Sequence, residues 1–213
     1  MIFVFVPYYK KWHGYFDECL KRQTTEYYLI KFNRGDFGIG WSGACNHFLN
    51  TLKTFRGIDD DVICIMNNDI RFGGTLFAEG RGVRENEILI PAGCQVQIDW
   101  ETKSVTTGGR LDTFPGRTFF MRATDFMRSG GFSRLLPHYL GDYDFGIRMI
   151  KRGMRVRVMK NGIQHADHPK NTNPWSNRGV NNPLAWTVFL LRHGRNRYFF
   201  RNLLKIWGEL ILN

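Results

Sequence analysis

The stretch LPHYLGDYDFGIRM (residues 136–149) sets two carboxylates, Asp142 and Asp144, two residues apart among aromatic and apolar neighbours. Helical periodicity begins at Asp142, and two residues along a helix is a rotation of about 200°. The two acids therefore face different ways and do not form a paired acid–base site. Arg148 lies four residues beyond Asp144, a spacing that predicts a surface ion pair of about 0.2–0.5 kcal/mol. At the equivalent positions Asp142 has Phe145 and Gly146, with no basic partner. With Phe145 and Met149 on its side, Asp142 is the better candidate general base, facing a partly enclosed cleft. The competing reading makes it only the N-cap of the helix, where the dipole favours its ionised form.

Two further segments offer metal chemistry. MNNDI (66–70) closes an apolar strand with two amides and a carboxylate. At the carboxyl end of a strand, oxygens of this kind hold a hard cation, which in turn holds a diphosphate. Asn and Asp also favour turns, so a plain turn is the alternative. HADH (165–168) places two histidines beside an acid within the polar stretch 161–182. Zinc would need ligands that do not occur nearby. His165 completing an oxygen-rich site begun by Asp69 is the more economical arrangement, against a plain surface histidine. GIGWSG (38–43) has the GxGxxG form and precedes a helix. Residues 33–36 separate it from its strand, and an earlier strand–helix unit precedes it. A flexible loop under a nucleotide is thus favoured over a dinucleotide fingerprint.

The elements that position these groups follow from periodicity. IFVFV (2–6) predicts a buried strand ending at Pro7, and Trp12 through Leu20 a helix running to about Gln23. Tyr27–Phe32 is a second strand, Cys45 through Phe55 a second helix, and VICIM (62–66) a third strand apolar on both faces. Alternating strands and helices with short links imply a parallel α/β sheet. Glu87–Ile90, Gln95–Asp99 and Arg117–Arg122 then predict strands of a mixed or antiparallel part. A helix over 142–152 stops at Gly153, Arg155–Met159 is a late strand, and 161–182 is long enough for a functional loop. Helices over 183–193 and 196–212 follow.

Composition narrows the classes. With 213 residues and 43% hydrophobic content the chain suits one domain and not wholesale disorder. No apolar run reaches the ~18 residues needed to cross a bilayer. The start, MIFVFVPYY, lacks the basic region and cleavage site of a signal peptide. Cys19, Cys45, Cys64 and Cys94 are dispersed, which argues against a disulfide or zinc framework and for a reducing, cytoplasmic setting. The charge of +11 points to an anionic partner: a phosphorylated small molecule, a nucleic acid or an acidic membrane face. The excess is concentrated after residue 110, as in KRGMRVRVMK (151–160) and RHGRNRYFFR (192–201).

Several segments, in order and spacing, resemble a known family. They are the first strand ending Pro7, Tyr8, Tyr9; DFGIGWSGACN (36–46); IMNND (65–69); FPGR (114–117) followed by GGF (130–132); and Leu136–Arg148. Over residues 1–168 the chain resembles inverting family-2 glycosyltransferases, especially bacterial-type enzymes such as rhamnosyltransferases. The resemblance implies an α/β GT-A fold: a Rossmann-like mixed sheet flanked by helices, with C-terminal helices. It implies one domain over 1–213, with a nucleotide-sugar half (1–110), an acceptor and catalytic half (111–182) and terminal helices (183–213). The implied reaction moves a sugar, rhamnose among the candidates, from a UDP- or dTDP-sugar to a hydroxyl of a glycan, glycoprotein or glycolipid. Carried over by residue, Asp142 is the base. Asp69 and His165 hold Mn2+ or Mg2+. Pro7, Tyr8, Asn33, Asn67, Asn68 and Arg117 contact the nucleotide sugar.

The sequence departs from the family pattern in three places. The usual acidic stretch after the second strand shrinks to NRGD (33–36), the first acid of the DxD motif is Asn67, and Gly141 stands where many relatives have an acid. Two rival classes remain: a Rossmann-type dinucleotide- or S-adenosylmethionine-dependent enzyme resting on GIGWSG, and a basic nucleic-acid binder, which the resemblance does not lead one to expect. The apolar stripe Phe199, Phe200, Leu203, Leu204, Trp207, Leu210 and Ile211 predicts a helix packed on the core. Its sharper alternative is peripheral docking on an anionic membrane carrying a lipid-linked acceptor.

Overall fold

A computed structural model describes residues 1–102, 104–165, 182–194 and 196–211. The chain begins with β1 (Ile2–Tyr8), α1 (Gly14–Lys21), β2 (Tyr28–Asn33), α2 (Trp41–Leu52) and β3 (Val62–Met66). β1 pairs in parallel with both β2 and β3, the arrangement that alternating strands and helices predict. Next come β4 (Ile70–Phe72), α3 (Leu76–Gly80), β5 (Glu87–Ala92), β6 (Val96–Asp99), β7 (Ser104–Thr107), β8 (Thr118–Arg122) and α4 (Ala123–Arg128). α5 (Gly141–Lys151), β9 (Arg155–His165), α6 (Pro183–His193) and α7 (Asn196–Ile211) complete the order. The main sheet runs β2-β1-β3-β8-β5-β9-β4, and β6 and β7 form a separate hairpin. β8 is antiparallel to both β3 and β5, so the sheet is mixed.

Strand alternation sorts the core into two layers. Ile63 and Ile65 of β3 join Phe5, Phe48, Phe119 and Phe145 on the face covered by α2, α4 and α5. Val62, Cys64 and Met66 join Val4, Phe16, Leu20 and Phe77 on the face covered by α1 and α3. VICIM is buried at every position, as a central strand with two covered faces requires. All four cysteines are buried thiols. A third apolar cluster joins Val96 and Ile98 of the hairpin to Leu136, Leu140, Ile147 and the inner faces of α6 and α7.

The structure corrects several boundaries. The late strand runs on to His165, because Ile70 to Phe72 pair antiparallel with Ile163 to His165. The polar stretch expected as a loop therefore gives its first residues to β9, and 166–181, including His168, lies outside the described residues. β4, α3, β7 and α4 have three to six residues each, too few for periodicity to stand out. α1 starts after Trp12, whose indole Nε1 donates to Asp17. α2 starts earlier than expected, at Trp41, and leaves Phe55 outside.

The stripe expected on the last helix is divided. Asn202 and Ile206 are buried, with Phe199 and Trp207 packed beside them, while Phe200 and Leu204 are each 74% exposed. Among the described residues no helix is long and apolar enough to cross a membrane.

Candidate active site

The carboxyl ends of β1 and β3 open into a pocket of about 240 Å³, where Pro7, Tyr8, Asn67, Asn68 and Asp69 meet Arg34 and Trp41. Its rim carries Tyr9, Lys11 and His13. Strand pairing places the acidic end of MNNDI. Because Ile70 lies opposite His165 in the β4–β9 ladder, the Asp69 carboxylate comes within 3.3 Å of the His165 imidazole Nε2. Two side chains 96 positions apart in a chain of 213 residues thus share one edge of the cleft.

The amides of the same motif hold the walls. The Asn67 backbone N–H donates to the Arg117 carbonyl at 2.9 Å, and its side-chain Oδ1 accepts from the Trp41 indole at 3.0 Å. Asn68 is buried and donates to the Lys11 carbonyl at 2.8 Å, fixing the segment that follows β1. Asn33 does not line the pocket. Its Oδ1 accepts from the Lys10 and Gly35 amides and its Nδ2 donates to Asp36, so the side chain shapes the loop. The adjacent Arg34 reaches the pocket instead, its guanidinium centred 5.0 Å from the Tyr9 ring.

The glycines of GIGWSG serve close packing. A Cβ on Gly40 would stand 2.3 Å from the Pro137 carbonyl oxygen, and that oxygen accepts from the Ser42 N–H at 3.0 Å. The segment is therefore tied to the loop before α5 and does not form a free phosphate cradle. Trp41, between those glycines, is the residue that reaches the cleft.

Asp142 is the second residue of α5, and the N-cap is Leu140, in the left-handed region at φ 64°. A non-glycine residue held there costs on the order of 1–2 kcal/mol, and burial of the Leu140 side chain holds it in place. Asp142 is half-buried. Its Oδ2 accepts from the Gly116 N–H at 2.7 Å and its Oδ1 from the Tyr143 N–H at 2.9 Å. Burial pushes its carboxyl above the ordinary aspartate range, against the pull of those two amides and of Arg117. A raised carboxylate that stays anchored is a stronger base. The Arg117 guanidinium forms no hydrogen bond or ion pair among the described residues, yet lies near enough to act on Asp142.

Asp144 corrects the expectation most sharply. It is fully buried, not a surface partner. Arg148 Nε lies at 2.9 Å, Arg192 Nε at 3.2 Å and His193 Nε2 at 2.9 Å. α6 covers this face of α5 and brings two of the three partners. Burial would raise the carboxyl, but the His193 and Arg148 hydrogen bonds and the Arg192 charge overcome it and hold the group below its ordinary value.

Gly141 is required by contact. A Cβ there would meet Ser42 Oγ at 2.3 Å and the Leu136 carbonyl oxygen at 2.4 Å. A side chain here, acidic or otherwise, would force Ser42 and the loop before α5 to shift.

A second hollow, also about 240 Å³, is lined by Arg34, Trp41, His138 and Tyr139 and adjoins the first through Arg34 and Trp41. A wider groove of about 830 Å³ lies beside Glu87 and Arg157, which form a structural ion pair. Sequence reasoning passed over Trp41, Arg34, His138 and Tyr139. The available signal was an aromatic residue opening a helix between glycines, close to a strand end.

No protein-family model and no curated protein matches the chain. Solved structures do match it. GalNAc-T7 with UDP, GalNAc and Mn2+ aligns at TM-score 0.64 and 9% identity, over 88% of this chain and 47% of that one. The catalytic domain of Drosophila beta1,4-galactosyltransferase 7 with xylobiose aligns at 0.57 and 17% identity, over 78% and 71%. An aspartate-to-asparagine variant of that enzyme with manganese, UDP-Gal and xylobiose aligns at 0.54 and 18% identity, again over 78% and 71%. The chain thus spans about half the length of the first of these proteins. The likeness establishes the fold: a mixed α/β sheet of the GT-A glycosyltransferase type.

Proposed function

We propose that the chain transfers a sugar from a nucleoside diphosphate sugar, a UDP- or dTDP-sugar, to an acceptor hydroxyl, with Mn2+ or Mg2+ held by Asp69 and His165. The observation that carries this reading is the Asp69–His165 pair on the edge of a pocket whose wall, Trp41, packs against Gly116, the residue whose N–H holds Asp142. One carboxylate and one imidazole suit a cation that completes its shell with diphosphate oxygens and water. They do not suit a closed zinc site, and no group of three His, Cys, Asp or Glu side chains occurs among the described residues. When bound, the metal would neutralise charge on the departing diphosphate.

The remaining work falls to the chain. Asp142 takes the proton of the acceptor hydroxyl as that oxygen bonds to the anomeric carbon. The bond from that carbon to the diphosphate breaks, and the nucleoside diphosphate leaves. Attack from the side opposite the leaving group inverts the anomeric centre. The Gly116 and Tyr143 amides hold both Asp142 oxygens in place, while Lys11, Arg34 and Arg117 supply positive charge around the anionic donor. Tyr8 and Pro7 form an apolar wall for the nucleoside.

The test is a binding and hydrolysis panel of UDP-, dTDP- and GDP-sugars, NAD(P), S-adenosylmethionine and an oligonucleotide, each with and without Mn2+. A nucleotide sugar at a hundred times its Kd should stabilise the fold by about 2.7 kcal/mol. That stabilisation should need Mn2+ and should vanish in Asp69→Asn. Metal-independent binding of any other member of the panel in its place would overturn the reading.

A further inference from the structure

Building on Asp142 as the base of the proposed sugar transfer, we infer that Trp41 is a positioning residue for it. Together with Asn67 it clamps residues 116 and 117, and so keeps the Gly116 N–H on the Asp142 carboxylate. Asn67 reaches that segment twice. Its backbone N–H donates to the Arg117 carbonyl at 2.9 Å, and its side-chain Oδ1 accepts the Trp41 indole N–H at 3.0 Å. The far edge of the same indole lies on Gly116. A Cβ built there would stand 2.5 Å from Trp41 Cη2 and 2.7 Å from Trp41 Cζ2, a contact that any side chain at 116 would push apart. Gly116 in turn donates its N–H to Asp142 Oδ2 at 2.7 Å. From the strand end that carries Asp69, the path to the base thus runs through Asn67, Trp41 and Gly116.

The indole is braced on its other sides. Trp41 opens α2 directly after the N-cap Gly40, and a Cβ on Gly40 would stand 2.3 Å from the Pro137 carbonyl oxygen. Phe132 meets the indole edge-on at 5.0 Å. The ring cannot turn without giving up the Asn67 bond or the Phe132 contact. The Gly116 amide is therefore a donor held in place before any substrate arrives, which is how a site gains from fixed geometry. That amide is also one of the influences pulling the Asp142 carboxyl down against its burial, so slackening it lets the carboxyl rise further. The other ionisable groups that act with Asp142 are Arg117 ahead of β8, Tyr143 on α5, Tyr139 in the loop before it and Cys45 on α2. Burial pushes both phenols and the thiol up. All three stay neutral between about pH 4 and 8, and a guanidinium stays charged throughout.

Trp41→Phe removes the indole donor and the ring edge that meets Gly116, while Asn67→Leu removes the acceptor and leaves the indole. Each variant is read in two ways: the Asp142 carboxyl followed by carbon NMR across pH, and the pH profile of kcat beside the donor Kd. Trp41→Phe should move the Asp142 titration up by about one unit and carry the acid limb of kcat with it. It should lower kcat by about tenfold to 10²-fold, more than it raises the donor Kd. Asn67→Leu should shift the titration the same way by less. A titration at its wild-type position in both folded variants, with only the melting temperature lowered, would overturn the assignment, as would a loss of activity lying wholly in donor Kd. The NMR readout needs no turnover. A wild type that transfers no sugar would therefore sink the functional reading, while the titration still decides whether Trp41 positions Asp142.

Discussion

The two faces of α5 hold aspartates two residues apart, and their surroundings differ in kind. On one face Asp142 meets two backbone N–H groups and a nearby arginine, and burial leaves its carboxyl raised. On the core face Asp144 meets Arg148, Arg192 and His193 directly and is held ionised. Burial outweighs the pull of its two amide donors, so Asp142 keeps its appetite for a proton. Close cations cancel the charge and convert the carboxylate into a rivet. The two acids of one helical turn are thus specialised by what packs on each face.

The largest effect should come from Asp142→Asn. It is expected to lower transfer by about 10²–10⁴-fold with donor affinity retained, as rate assays alongside donor titration will show. Full activity in this variant would remove Asp142 from the role of base and end the contrast.

Asp144→Asn should act on stability instead. Removing one member of a buried charge cluster costs about 3–5 kcal/mol, measurable by urea denaturation at neutral pH. The pH dependence sharpens the point. Asp144 is lowered in the folded state, so its stabilisation is present above the unfolded aspartate value of about 3.9 and is lost as pH falls through the folded value. Asp142 is raised, so its contribution has the opposite sign: stability is present below about 3.9 and is lost as pH rises through the folded value. Stability measured from pH 2 to 7 should therefore show a shallower acid limb in the Asp144 variant, what is left coming from carboxylates such as Glu79 and Glu87 that are also held low. An unchanged limb would show that α6 does not hold this carboxylate.

The smallest of the three effects is expected from Gly141→Ala. The added methyl would meet Ser42 Oγ and the Leu136 carbonyl, an overpacking cost of about 1–3 kcal/mol that thermal melts can read. Because the same turn carries Asp142, kcat should fall more than donor affinity. A variant as stable and active as wild type would show that the loop before α5 shifts freely.

Much of the fold was legible. VICIM read as a central strand because every position is apolar, and α5 and α6 read correctly to within a residue at either end. β4, α3, β7 and α4 were passed over because a three-to-six-residue element completes too few periods to register. The pairing of Asp69 with His165 was legible, since an acid at a strand end and a histidine ending a late extended segment do meet at 3.3 Å. The site was illegible at Trp41 and Arg34, which look like loop residues until α2 and the segment after β2 converge on the cleft. Asn33 does not line the pocket, because its amide serves its own loop.

LPHYLGDYDFGIRM by itself determined that its two acids cannot share a face, since helical rotation separates residues two apart whatever surrounds them. Only the tertiary structure decided which of the two faces α6 covers. The ion pair of Asp144 with Arg148 is local and could be read from spacing, but Arg192 and His193 arrive from α6, 48 and 49 positions later. Spacing along a chain encodes direction, while burial depends on what folds back to cover it. That covering turned an expected surface pair into a buried anchor and left Asp142 to the Gly116 and Tyr143 amides.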